Sequence, residues 1–224
     1  MFENFKNTID FYIRNKTKIS RKNFVEKNPK LIQFIKTENK YVFEVLNTNF
    51  RKKNYDCPFV LDIGSKNWSY VNGLHKYFKN VYGEFVLDGI ELDAYRLNAN
   101  FYSRFEVAKY YMKNLSNVTY MADNLLNLNK KYDFITWFLP FVSKNPLIFW
   151  GLPLEYFCPE KLLLHAYNLL NENGQMLIVN QGENEAKIQE NLLLKFNISY
   201  EYIGEIKDNY NLFKNKRFGF LIYK

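Results

Sequence analysis

The sequence predicts an α/β fold: a mostly parallel seven-stranded sheet flanked by helices, with a C-terminal antiparallel hairpin and an N-terminal helical extension. Three observations carry this. Beyond residue 55, short apolar β-rich runs alternate with amphipathic ones, as βαβ units require. Two of those runs, Phe59-Val60-Leu61-Asp62-Ile63-Gly64-Ser65 and Phe85-Val86-Leu87-Asp88-Gly89-Ile90-Glu91, carry a carboxylate, Asp62 and Glu91, toward the carboxyl end, where open α/β sheets meet their ligands. The last two β-rich runs, 198–206 and 217–223, are joined by the polar stretch 207–216, which suits an antiparallel pair.

Residues 1–54 are basic, and Leu31, Phe34, Ile35, Val42, Phe43 and Val45 fall largely at helical intervals, so this part reads as a helical extension packed on the core. Pro29 opens a helix there, being tolerated in a first turn, and Arg51-Lys52-Lys53-Asn54 forms a charged connector to the main domain, 55–224. Strands are expected over 59–63, 85–91, 118–121, 132–137 and 175–180, with helices over 69–78, 93–112 and 159–170 between them. Asp93 is expected to cap the second of these helices. The third is expected to stop at Asn173-Gly174, where a left-handed residue is easily placed.

A chain of 224 residues with 47% hydrophobic and 19% aromatic residues forms one domain with a sizeable core, far from the disordered regime. Thirty-one Lys and Arg against 23 Asp and Glu give a formal charge of +8, which keeps nucleic acid among the partners while the charge itself is spread along the chain. Cys57 and Cys158 are too few for a disulfide scaffold, and neither His75 nor His165 has a partner at metal-ligand spacing. A reducing, cytoplasmic setting is expected. The first residues hold no apolar signal core, and the apolar runs 134–142 and 146–154 are too short to span a membrane.

Acids at two strand ends narrow the cofactor. Asp62 would repel a pyrophosphate, and the G-x-G-x-x-G turn that cradles one is missing. A ligand with a cationic centre, an amino group and a ribose diol suits paired carboxylates, and S-adenosylmethionine has all three.

The ordered series Val60-Leu61-Asp62-Ile63-Gly64, Gly89-Ile90-Glu91, Ala122-Asp123, Tyr132-Asp133-Phe134-Ile135 and Leu169 to Val179 resembles the Rossmann-like class I S-adenosylmethionine-dependent methyltransferases over most of residues 56–224. The resemblance implies that Asp62 organises the cofactor's ammonium group and that Gly64 and Ser65 form the turn beside it. It further implies that Glu91 accepts hydrogen bonds from the ribose hydroxyls and Asp123 one from the adenine amino group. Lys66 and Trp68 stand where the family has further glycines; Lys66 is a candidate counter-ion for the methionine carboxylate. Asp88, inside a strand, is a weaker candidate, and Asp133 is assigned to supporting the sheet. Phe138, Pro140 and Phe141 leave the fourth strand where the family places acceptor-facing residues, and Trp150 lies in a lid-like insert, 143–157. Asn180-Gln181-Gly182-Glu183 is expected to line the acceptor cleft. The acceptor itself is unidentified. A binding protein with this fold but no turnover, and a basic nucleic-acid-binding module, are the alternatives to a methyltransferase.

Overall fold

The structure, a computed structural model, describes residues 2–19 and 24–224; residues 1 and 20–23 of the expected extension lie outside the described residues. Seven strands form one sheet: β1 (Phe59–Ile63), β2 (Val86–Ile90), β3 (Val118–Met121), β4 (Tyr132–Phe138), β5 (Leu170–Gln181), β6 (Tyr200–Ile206) and β7 (Arg217–Tyr223). Their order is β3-β2-β1-β4-β5-β7-β6. The first five are parallel, whereas β7 runs antiparallel to both β5 and β6. The order reverses at β1, so a crevice opens outside the carboxyl ends of β1 and β4.

Among the described residues, seven α-helices accompany the sheet: α1 (Phe2–Thr17), α2 (Pro29–Asn49), α3 (Val71–Tyr82), α4 (Arg104–Met112), α5 (Lys144–Phe149), α6 (Pro159–Leu169) and α7 (Gly182–Lys195). Strand alternation divides the core in two. Val60, Phe134, Leu177 and Val179 face the side covered by α2 and α3. Leu61, Ile63, Ile135, Met176 and Ile178 face the side covered by α6 and α7. Helix α2 starts as expected, with Pro29 in the first turn and Asn28 Oδ1 accepting from the Lys30 and Leu31 amides. It lies close to α3 because Gly73 is there: a Cβ at that position would come within 2.4 Å of the Asn39 carbonyl oxygen. Helix α1 instead packs on the insert after β4, where Phe11, Leu147 and Leu152 form a small third core.

Two expectations are corrected, and one further helix is found. The helix expected from Asp93 begins at Arg104, capped by Ser103 in a capping box with Glu106; Asp93 is drawn elsewhere by two arginines. Helix α6 ends at Leu169 rather than at Asn173-Gly174, because Leu170 already pairs with Tyr132 and the left-handed Asn173 (φ +66°) falls in an irregularity of β5. Residues 182–195, past the expected fifth strand, form α7, which carries Glu183 and Glu185 in its first turn and Lys195 in its last. Among the described residues, no helix is long and apolar enough to cross a membrane and no cluster could hold a metal ion.

Candidate functional site

A cleft lies at the carboxyl ends of β1, β2 and β4, beneath the insert 143–157, and holds about 920 Å³ of empty space with its open mouth included. Gly64, Lys66, Glu91, Arg104 and Asp123 line its polar part, and Phe138, Pro140, Phe141, Leu147 and Trp150 its apolar part. Two expected residues, Asp62 and Ser65, do not line it.

The turn after β1 explains the difference. Gly64, Lys66 and Trp68 have φ of +71°, +51° and +49°, so the backbone alternates into the left-handed region although only the first is a glycine. A side chain in that region costs about 1 kcal/mol or more per residue. The cost is offset by what those residues reach. Trp68 is fully buried, its ring lies where any Cβ on Gly89 would come within 2.6 Å, and its indole Nε1 donates to Asp62 Oδ2 at 2.9 Å. The Lys66 amide donates to Glu91 Oε2 at 2.9 Å, and the Lys66 carbonyl accepts from the Tyr120 hydroxyl.

Asp62 is sealed by this turn. Besides Trp68, the Tyr70 hydroxyl donates to Oδ2 at 2.9 Å and the Thr136 hydroxyl to Oδ1 at 2.7 Å. Burial pushes its carboxyl up to about 6, against the pull of those hydrogen bonds. Asp62 therefore fastens the turn and does not reach the cleft. Ser65 is likewise buried, its hydroxyl donating to the Asp62 carbonyl at 2.9 Å.

Glu91, one residue past β2, does reach the cleft. Its Oε1 accepts from the Asp93 amide at 2.8 Å and from Arg104 Nη1 at 3.2 Å. Arg104 was missed in the sequence, although Ser103-x-x-Glu106 is a capping-box signature that places it in the first helical turn. Asp123 is exposed; its Oδ1 accepts from the Asn124 amide and Asn127 Nδ2, each at 2.7 Å, and Oδ2 has no hydrogen bond among the described residues. The Lys66 ammonium stands 4.5 Å from the centre of the Trp150 ring, with no carboxylate within 4 Å among the described residues. Burial, followed by the Arg104 charge, lowers its pKa.

The cover of the cleft is tied down from outside. Asp93 is fully buried between Arg14 of α1 and Arg96, and both guanidinium groups also donate to the Gly151 carbonyl, at 3.2 and 2.8 Å. Asn7 Nδ2 reaches the Ile148 carbonyl at 3.0 Å. Leu139 leaves β4 with φ +60°, its amide donating to the Val179 carbonyl at 2.7 Å, which sends Phe138 and Pro140 into the cleft wall. Asp88 lies away from the site, paired with Lys130 at 2.8 Å, and Asp133 supports the sheet by accepting from the Phe59 amide and Asn171.

No family model and no curated protein matches the chain. Solved structures do. A SAM-dependent methyltransferase from Aquifex aeolicus aligns with a TM-score of 0.58 at 15% identity, over 88% of this chain and 98% of that one. A methyltransferase from Pyrococcus furiosus aligns with a TM-score of 0.57 at 19% identity, over 89% and 88%. A fibrillarin/Nop5p complex gives 0.53 at 14%, over 85% and 83%. Together with the strand order and the C-terminal hairpin, these likenesses show that the chain has the Rossmann-like fold of the class I S-adenosylmethionine-dependent methyltransferases.

Proposed function

We propose that the protein is a methyltransferase that uses S-adenosylmethionine, and that the cleft described above receives the cofactor. The observation that supports this most is the meeting of Glu91 with the open side of Gly64. A carboxylate stands at the end of β2, and a Cβ added to Gly64 would meet nothing within 4 Å, so the space beside the turn is free for a ligand. The left-handed backbone at 66 and 68 keeps the path that glycines would take there.

In this reading Glu91 accepts from the ribose hydroxyls, for which two acceptor oxygens are suited, and Arg104 beside it offsets the charge. Asp123 Oδ2 is available to the adenine amino group. Lys66 pairs with the methionine carboxylate. Asp62 and Ser65 act at one remove, by holding the turn that carries Gly64 and Lys66. The sulfonium supplies a methyl group already activated for in-line displacement. The chain's own task is to orient the acceptor and exclude water, which Phe138, Pro140, Phe141 and Trp150 do as an apolar rim. No general base is assigned.

Calorimetric titration with S-adenosylmethionine and S-adenosylhomocysteine tests the reading. Saturable binding of both is expected, with binding lost or strongly weakened in Glu91→Ala; no binding of either contradicts it. The side chains at 66 and 68 also motivate a second reading, a binding protein of this fold without turnover. Cofactor binding with no methyl release across candidate acceptors would favour that one.

A further inference from the structure

A second chamber adjoins the first, sharing Gly64, Lys66, Phe138, Leu139 and Trp150 as a common wall. It continues between α2, the end of β5 and the start of β7, and holds about 780 Å³ of empty space counted with its open mouth. Its far wall contains Glu38, Tyr41, Gln181 and Arg217.

Two of these groups are buried with their bonding incomplete. Arg217 is 8% exposed, yet it has no carboxylate within 4 Å among the described residues. Its Nη1 donates to Gln181 Oε1 at 2.7 Å, and its guanidinium stands 4.6 Å from the centre of the Phe213 ring. Glu185 and Asp208 influence it only from beyond ion-pair distance. A guanidinium has five N–H donors in a planar fork that matches a carboxylate, and burying one without an anion is costly. Tyr41 is 4% exposed, and its hydroxyl has no hydrogen-bond partner. Burial raises its pKa to about 12, so at neutral pH it is a donor. Glu38 accepts from the Ser69 hydroxyl at 2.8 Å, and with Lys66 and Arg217 in the same lining the chamber carries one positive charge in excess. Phe138, Phe213 and Trp150 add aromatic rings to a lining that also contains Val42 and Val179.

We propose that this chamber is the acceptor site and that the acceptor is a small planar molecule bearing a carboxylate, held by Arg217 and the Tyr41 hydroxyl with its ring against the aromatic walls. The acceptor role rests on the methyltransferase reading; the carboxylate site stands on its own geometry. The wall shared with the cofactor cleft, to which Phe138 and Leu139 both contribute, brings the two ligands side by side.

Ligand-observed NMR titrations with benzoate and its neutral counterpart benzamide test the proposal, with and without saturating S-adenosylhomocysteine. Benzoate is expected to bind about tenfold more tightly than benzamide, as one charge-assisted pair provides. Arg217→Gln should abolish that preference and leave S-adenosylhomocysteine affinity unchanged. Tyr41→Phe, which removes an unpartnered hydroxyl, should keep or raise the melting temperature while weakening benzoate roughly threefold, so the idea remains testable even if Arg217→Gln folds poorly. Equal binding of the two probes, or a preference that survives both substitutions, overturns it. If benzoate selectivity holds but S-adenosylhomocysteine does not bind, the carboxylate site stands and the acceptor role falls with the methyltransferase reading.

Discussion

Asp62 and Glu91 stand at the carboxyl ends of neighbouring parallel strands, and they have opposite fates. Asp62 is completely buried beneath Trp68 and Tyr70, with hydrogen bonds to both oxygens. Glu91 is held by the Lys66 amide and Arg104 and lines the cleft. The strand ends alone do not separate them. What separates them is the turn that follows β1, where an indole and a phenol fold back over the first acid. A carboxylate at a strand end can thus be sealed in the core or left lining a cleft, and the next few side chains decide which.

The largest way to break this contrast is Trp68→Ala. It empties a fully buried site and frees Asp62 Oδ2, so a loss of about 4 kcal/mol in denaturant unfolding is expected; a loss below about 1 kcal/mol would mean that the indole does not hold the turn.

The buried acid also has a pH signature. Its folded pKa, near 6, lies above the value of an unfolded aspartate, so between pH 4 and 6 the unfolded chain releases this proton first and stability falls as pH rises. The penalty is complete above about pH 6. Asp62→Asn carries no such titration, so wild-type stability relative to that variant should decline by on the order of 2 to 3 kcal/mol between pH 4 and 7. Parallel unfolding curves at a series of pH values measure it, and a flat difference would show that Asp62 is not sealed.

Glu91 should respond in ligand affinity instead. Glu91→Gln keeps the shape and removes the charge, and S-adenosylhomocysteine affinity is expected to drop roughly 30-fold, about 2 kcal/mol, whereas Asp62→Asn should change it much less. Smallest is Lys66→Gly, which relieves the left-handed side chain. Stability should rise by up to about 1 kcal/mol while cofactor affinity falls several-fold, readable from one melting curve and one titration.

Much of the architecture was legible because it is written locally. The apolar runs of β1 to β4 alternate with amphipathic ones, and Pro29 marks a helix start that Asn28 then caps. The start of α4 was legible too, in Ser103-x-x-Glu106, but Asp93 drew attention away from it. What could not be read depends on side chains meeting across long sequence distances. Arg14 reaches Asp93 and so ties α1 to the insert over the cleft; nothing near either residue signals that pairing. Asp62 looked like a ligand group because its sealing depends on how Trp68 turns back. Asn180, expected near the acceptor, is fully buried on the opposite face of β5 from Val179 and Gln181, and of the expected segment 180–183 only Gln181 lines the second chamber. Arg217 gave no signal at all, since its burial comes from the antiparallel pairing of β7 with β5.

A crystal structure of the protein with S-adenosylhomocysteine would test the contrast between the two acids most directly. The expected density places the ribose hydroxyls on the Glu91 carboxylate, with Asp62 still covered by Trp68 and Tyr70 and touching no ligand atom. A nucleoside bound elsewhere, or one that displaces the indole and contacts Asp62 while leaving Glu91 on Arg104 alone, would contradict it.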